Sequence, residues 1–162
     1  MKHQVIKHYE GLHDGDLSKI GLQPKMDPSG IWTEGWGHAI HQNGKFIRGA
    51  ANKALAYKLA TVKTEAEADA LLEKDVLYSV LQIKRKITVA LSEKQLEALT
   101  SFVYNTGGSP TLFMLINTKS PKLFDWWCNH YITSKGVTLR GLIFRRQTEA
   151  TLFCKGVLKF FN

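Results

Sequence analysis

The chain has 162 residues, of which 44% are hydrophobic and 22% charged, ordinary values for one folded domain with a real core. Its 22 Lys and Arg against 14 Asp and Glu give a net charge of +8, which predicts attraction to polyanions such as nucleic acid, lipopolysaccharide, teichoic acids or the acidic peptides of a cell wall. The densest basic cluster is Lys84-Arg85-Lys86, with Arg145-Arg146 second and the rest scattered, so no single arm or helix face reads as a nucleic-acid binder. No apolar run approaches a membrane span, and His3, Lys7, His8 and Glu10 interrupt any signal-like stretch. The 2 Cys, Cys128 and Cys154, lack metal or Cys-x-x-Cys spacing and are expected as free, buried thiols. The 6 His form no ligand motif, so a metal site is not expected.

In chain order, Val5, Ile6 and Tyr9 have helical spacing in a short helix that ends at Gly11. Gly11–Pro24 is rich in Gly, Asp and Ser and reads as a loop. Asp27-Pro28-Ser29-Gly30 is a tight turn, because Pro28 presets φ and Gly30 accepts the awkward dihedral. Ile31-Trp32-Thr33 then has strand character, in a strand expected over 31–36. Asp27 and Thr33 stand an even number of residues apart, so a continuous strand puts both on one face, where a carboxylate and a hydroxyl can hold a water between them. Asn43-Gly44, between Ala39-Ile40-His41 and Lys45–Arg48, is a hairpin signal. Asn52 is placed to cap a short helix through Ala60.

Thr64 with Glu67 is a capping box that opens a long helix with Leu72, Val76, Val80, Ile83 and Ile87 in one apolar stripe. Ser92 with Gln95 is a second box, for a helix that runs to Asn105 before Gly107-Gly108. Ser109-Pro110 and Ser120-Pro121 each place a cap before a proline, predicting two short helices, the second carrying Trp126-Trp127 as core. Thr133–Thr138 is read as loop and Gly141–Lys155 as the final helix.

Glu10 in Tyr9-Glu10-Gly11, Asp27 ahead of Thr33, and Gly35-Trp36-Gly37-His38 resemble the catalytic signature of phage-type lysozymes, the endolysins of glycoside hydrolase family 24. Gln95–Gly107 is similar to that family's central helix, and Gly141-Leu142 with Arg145-Arg146, Glu149, Leu152 and Phe153 to its last helix. The family places fewer residues between its Glu and Asp than the stretch 11–26 here. Strict spacing would select Lys19, which cannot serve, and no Thr lies six residues beyond Asp14 or Asp16. Part of Gly11–Pro24 is therefore treated as an insertion.

The resemblance implies an α+β, lysozyme-like domain of two lobes: a small antiparallel sheet lobe at about 1–60, a connecting helix at 64–87 and a helical lobe at 88–162. It implies a muramidase that hydrolyses the β-1,4 bond between N-acetylmuramic acid and N-acetylglucosamine of peptidoglycan without a cofactor, with an inverting outcome. Glu10 is the expected general acid, with Asp27 and Thr33 positioning water. Tyr104 and Asn105 are expected to contact sugar from the helical lobe, and His38 to pair structurally with Asp75. Arg140, Arg145 and Arg146 either support Glu10 electrostatically or face solvent. The expected protein is a monomer, without nucleic acid and without stable membrane insertion. The first helix starts within a few residues of Met1, so the protein is expected to wait in the host cytoplasm until a phage holin breaches the membrane. The rival readings are a lytic transglycosylase, which needs one Glu and no positioned water, and a catalytically inactive basic wall- or nucleic-acid-binding module.

Overall fold

The structure is a computed structural model that describes residues 2–162. It is an α+β fold of short antiparallel sheets and helices, and the chain forms two compact units. One unit is Glu10–Asp75, and the other is Val76–Asn162 together with the residues up to Tyr9.

The Glu10–Asp75 unit is built on strands β1 (Lys25–Met26), β2 (Trp32–Glu34) and β3 (His38–Ala39), in the antiparallel order β1-β2-β3. The strand expected over 31–36 is cut to Trp32–Glu34 because Gly35 and Gly37 turn the backbone through positive φ on either side of Trp36. Sequence reading missed β1, whose two residues carry no period-2 signal. Strands β4 (His41–Gln42) and β5 (Lys45–Phe46) form the hairpin at Asn43-Gly44, both of whose φ values are positive, as a tight two-residue hairpin turn requires. Trp32, Ile40, Ile47 and Ala56 make the buried core of this unit. Trp32 Nε1 donates to Gly49 O at 2.8 Å, which satisfies its one polar atom.

Helix α2 (Lys53–Leu59) follows a 3-10 turn at Ala50–Asn52. Asn52 occupies the cap position, but its side chain turns back to donate to Arg48 O and does not bond the helix. Buried Glu34 accepts from Thr61 N, Thr61 Oγ1 and Val62 N, and so stitches β2 to the segment before the next helix. That helix, α3 (Glu65–Lys86), starts with the Thr64–Glu67 capping box, closed in both directions. Its stripe has Leu72, Val76 and Ile83 buried and Val80 half-buried, and Ile87, half-buried too, lies one residue past its end. Lys84-Arg85-Lys86 is the exposed last turn, where positive charge complements the helix C-terminus. Helix α3 contributes residues to both units.

The other unit starts with α1 (Gln4–Glu10), apart from Glu10 itself, and continues with α4 (Glu93–Thr106), α5 (Pro110–Asn117), α6 (Leu123–Asn129) and α7 (Arg140–Lys155). Ser92 and Gln95 form the capping box of α4, and Ser109 Oγ accepts from Leu112 N at the start of α5. Ser120 does not cap α6: the helix begins two residues later than its proline suggests, with Lys122 at the cap position. Residues Thr133–Thr138 are not loop but a hairpin of β6 (Thr133–Ser134) and β7 (Val137–Thr138). Its turn residues Lys135 and Gly136 both have positive φ, and Lys at the first position hid the signal that Asn gives at residue 43.

The core of this unit joins Val5 and Ile83 to Leu99, Phe102, Leu112, Ile116, Trp127 and Phe153. Trp127 is fully buried, whereas Trp126 is half-buried and stacks on His130 at 4.3 Å. The free thiols differ from expectation too, since Cys128 is half-buried but Cys154 is exposed. Burial raises the Cys128 pKa to about 11, and partial desolvation of the sulfur raises that of Cys154 despite the exposure of the residue, so neither is a reactive thiolate near neutrality. Tyr9 anchors α1 with its hydroxyl 2.6 Å from Thr148 Oγ1 on α7 and bonded to Phe144 O.

Candidate active site

Glu10, Asp27 and Thr33 all belong to the Glu10–Asp75 unit. Glu10 is the last residue of α1, and Gly11 at φ 73 ends the helix directly after it. Its half-buried side chain lies against Gly37, where a β-carbon would come within 2.9 Å of Oε2. The glycine after Trp36 therefore makes room for a carboxyl group.

Asp27 and Thr33 flank the β1–β2 hairpin. Lys25 is registered with Thr33, and Asp27 N donates to Ile31 O, so antiparallel pairing continues past β1. Directly opposed residues share a face, and so do positions two apart on one strand. Asp27 is thus on the same face as Lys25 and Thr33, as a diagonal neighbour of Thr33. Diagonal pairs of this kind lie roughly 7–8 Å apart at Cα, close enough for one water to span two short side chains. Asp27 Oδ1 accepts from Ser29 N, Ser29 Oγ and Ile31 N at 2.9, 2.8 and 2.9 Å. Burial pushes the Asp27 pKa up, but the bonds from Ile31 and Ser29 outweigh it and hold the carboxyl below its usual 3.8. Asp27 is therefore ionised at neutral pH, with three donors on Oδ1.

Thr33 is buried and donates from Oγ1 to Lys25 O at 2.9 Å. His13 Nδ1 lies 3.2 Å from the same Oγ1, and His13 N donates to Gly35 O. Sequence reading overlooked His13, since a lone His in a polar loop carries no motif.

The segment between Glu10 and Asp27 leaves helix α1 and enters β1 through a closed neck. Gly15 N donates to Gln23 O, and Asp14 Oδ1 accepts from Gln23 N. Asp16 Oδ1 accepts from Ser18 N and Ser18 Oγ. Asp14 and Asp16 are thus fasteners of the excursion, whose tip carries the exposed side chains of Leu17 and Ile20.

His38 Nδ1 lies 2.8 Å from Asp75 Oδ2. The Asp75 hydrogen bond raises the His38 pKa above 6.5 against the opposing effect of burial, with Glu34 adding to the rise. The ring is held by a structural carboxylate at a position flanking Gly37.

In the other unit, Tyr104 is half-buried, and exposed Asn105 accepts through Oδ1 from Arg146 Nη2 at 2.6 Å. Arg145 and Arg146 do not face solvent: both are buried on α7 around fully buried Glu149, each with Nε 3.3 Å from a Glu149 oxygen. Ser101 Oγ and Trp127 Nε1 also donate to Glu149, at 2.6 and 3.1 Å. Arg140 is exposed, over the Phe144 ring. Among the described residues, no group of three or more His, Cys, Asp and Glu is arranged to hold a metal ion.

The profile of the family described as Phage lysozyme matches residues 15–149, which includes Asp27 and Thr33. An endolysin of Acyrthosiphon pisum secondary endosymbiont phage 1 is 29% identical over 157 residues, covering 92% of each chain. A SAR-endolysin of Bacteriophage PS119 is 32% identical over 143 residues, which cover 86% of this chain and 77% of that one. Among solved structures, an endolysin from Escherichia coli O157:H7 phage FAHEc1 superimposes with a TM-score of 0.67 at 26% identity, over 96% of this chain and 91% of its own. A point mutant of P22 lysozyme, at 21% identity over 95% of this chain and 99% of its own, shares the fold with a TM-score of 0.67. The match over most of its length shows that this chain belongs to the phage lysozyme family.

Proposed function

We propose that the protein is a phage endolysin, a muramidase that hydrolyses the β-1,4 bond between N-acetylmuramic acid and N-acetylglucosamine in peptidoglycan. The endolysin and lysozyme relatives support the activity class. What supports the division of labour is register: Lys25 pairs with Thr33 and Asp27 N bonds Ile31 O, which by strand alternation assigns Asp27 to the face of Thr33.

Cleavage needs a proton for the leaving oxygen and a nucleophile for the anomeric carbon. Glu10 supplies the proton, from a half-buried helix end that Gly37 keeps open. Asp27, ionised at neutral pH, takes a proton from a water held between itself and Thr33. Attack by a held water, with no covalent sugar–enzyme step, gives inversion. Tyr104 and Asn105 are proposed sugar contacts; with Oδ1 of Asn105 bonded to Arg146, its amide nitrogen is the group to offer an acetamide carbonyl. The single-domain reading is part of the same proposal, as is the monomer.

The deciding experiment is mass spectrometry of digested peptidoglycan. Hydrolysis adds one water to the new reducing end, whereas a transglycosylase would leave an anhydro sugar. A preparation that binds wall material without releasing fragments would overturn the enzymatic reading altogether.

For delivery, the proposal is that the enzyme waits in the host cytoplasm for a holin. Among the described residues, no helix is long and apolar enough to cross a membrane. Expression in a bacterium with and without a membrane-permeabilising agent tests this, and prompt lysis without the agent would refute it.

A further inference from the structure

His13 has no part in the proposed chemistry so far, yet it is the side chain that touches Thr33. A hydroxyl has one proton and two lone pairs. Lys25 O can only accept, and at 2.9 Å it takes the Thr33 proton. Nδ1 of His13, 3.2 Å from Oγ1, must then be the donor, which sets the neutral ring as the Nδ1–H tautomer. The ring's own backbone is tied down as well, since His13 N donates to Gly35 O at 2.9 Å. One lone pair of Thr33 Oγ1 remains.

Those bonds determine how a water between Thr33 and Asp27 is oriented. Asp27 Oδ1 already receives three donors, so the water gives one proton to Oδ2. It gives the other to the remaining lone pair of Thr33. Both protons then face the protein, and the lone pairs of the water face outward toward the sugar. Were the Thr33 proton turned to the water instead, the water would have to spend a lone pair on the protein.

We infer that His13 is a positioning residue of the hydrolytic step: by donating from Nδ1 it occupies one lone pair of the Thr33 hydroxyl, whose proton Lys25 O holds, and so leaves the other lone pair as the fixed acceptor for the attacking water. This inference rests on the roles proposed for Asp27 and Thr33.

The charge state of the ring fits the task. Burial pushes the His13 pKa below 6.5, and Lys25 lowers it further, against the opposing pull of Glu10 and Asp27. Among the described residues those three are the charged groups that act on the ring. A neutral ring sets no positive charge near Glu10, where a cation would favour loss of the proton that Glu10 must donate. Acidification through the lowered pKa adds that cation within the electrostatic reach of both carboxyl groups.

The test uses purified enzyme on soluble peptidoglycan fragments, with kcat and KM measured separately across pH. His13→Ala is expected to lower kcat by about tenfold or more with KM changed less than about twofold. His13→Asn, whose amide nitrogen can stand where Nδ1 stood, is expected to recover most of that loss and to lack the His13 ionisation on the acid limb. Combined with Thr33→Ala, His13→Ala should add no further loss, because both remove one interaction. Nitrogen-15 NMR of the parent enzyme should show His13 protonated at Nδ1.

Equal losses in the Ala and Asn variants, additive losses in the double variant, or an Nε2–H tautomer would each overturn the inference. Should His13→Ala not fold, as judged by thermal melting, the Asn profile and the tautomer decide. If Thr33→Ala keeps the parental kcat, the role given to Thr33 falls, and the inference with it. If Thr33→Ala loses kcat and His13→Ala does not, the inference alone falls.

Discussion

Gly37 lies against the Glu10 carboxyl so closely that a β-carbon there would come 2.9 Å from Oε2 and 3.3 Å from Cδ. Its φ of +91 is also one that L side chains rarely adopt. Gly37→Ala is therefore expected to destabilise the fold by about 1–3 kcal/mol and to displace Glu10. Lysis of a peptidoglycan suspension at a temperature where the variant is fully folded isolates the second effect. Parental activity under those conditions would show that Glu10 does not need that space.

Glu10→Gln keeps the shape of the side chain and removes its acidity. It should melt close to the parent and still bind wall material, with activity lower by about 10²–10⁴-fold. A Gln variant within about tenfold of the parent would remove Glu10 from the role of acid.

Three carboxylates follow Glu10 before the first strands pair, and they are separable by experiment. Asp27→Ala should cut activity by at least about 100-fold, while Asp14→Asn and Asp16→Asn should stay within about threefold, as changes to loop fasteners. The Asp27 pKa is depressed in the folded state, so its stabilising bonds are fully present above the unfolded pKa and lost as pH falls through the folded one. The melting temperature of Asp27→Ala should therefore fall below that of the parent near pH 6 and converge on it in strong acid. An essential Asp14 or Asp16 beside a dispensable Asp27 would move the catalytic base.

The His38–Asp75 pair behaves in the opposite sense. The His38 pKa is raised on folding, so its contribution is fully present below the unfolded pKa and lost as pH rises through the higher folded one. In Asp75→Asn the His38 pKa, followed by NMR, should fall toward its ordinary value of about 6.5. The stability gap between parent and variant should narrow as pH rises above neutrality. A His38 resonance that titrates identically in both proteins would refute the pair.

Glu149 is a costly truncation in the helical unit, because four buried donors converge on it. Glu149→Ala strands Arg145 and Arg146 as buried cations, and removes the acceptor of Ser101 and Trp127. Loss of one partner from such a cluster costs about 3–5 kcal/mol, or a melting temperature lower by on the order of 10 °C. A drop of less than about 2 °C would show that water reaches the cluster.

Much of this architecture is written in local chemistry. The capping boxes at Thr64 and Ser92, the Asn43-Gly44 turn and the helix stop at Gly11 each depend on a few adjacent residues, and each is where its signal places it. What escaped depends on distant partners. Nothing near Ser120 announces that α6 starts later, and nothing near Lys135 announces a hairpin. Arg145 and Arg146 look like surface charge until Glu149, Ser101, Trp127 and Asn105 are seen around them. At the candidate site the even spacing of Asp27 and Thr33 was visible, but their shared face rests on pairing across a turn. His13 was invisible because only the folded hairpin brings Thr33 to it.

Val5 and Ile6 precede every other core residue and are fully buried, and Val5 belongs to the core that ends with Phe153. During synthesis the first helix therefore leaves the ribosome long before its partners exist. At roughly 5–20 residues per second, the wait for α7 lasts on the order of 7–30 s. The Glu10–Asp75 stretch is contiguous and can fold in that interval, while α1 stays an unpaired amphipathic segment open to chaperones. Moving α1 by circular permutation to follow α7 would abolish the delay, and with it the exposure of Val5 and Ile6 on the nascent chain.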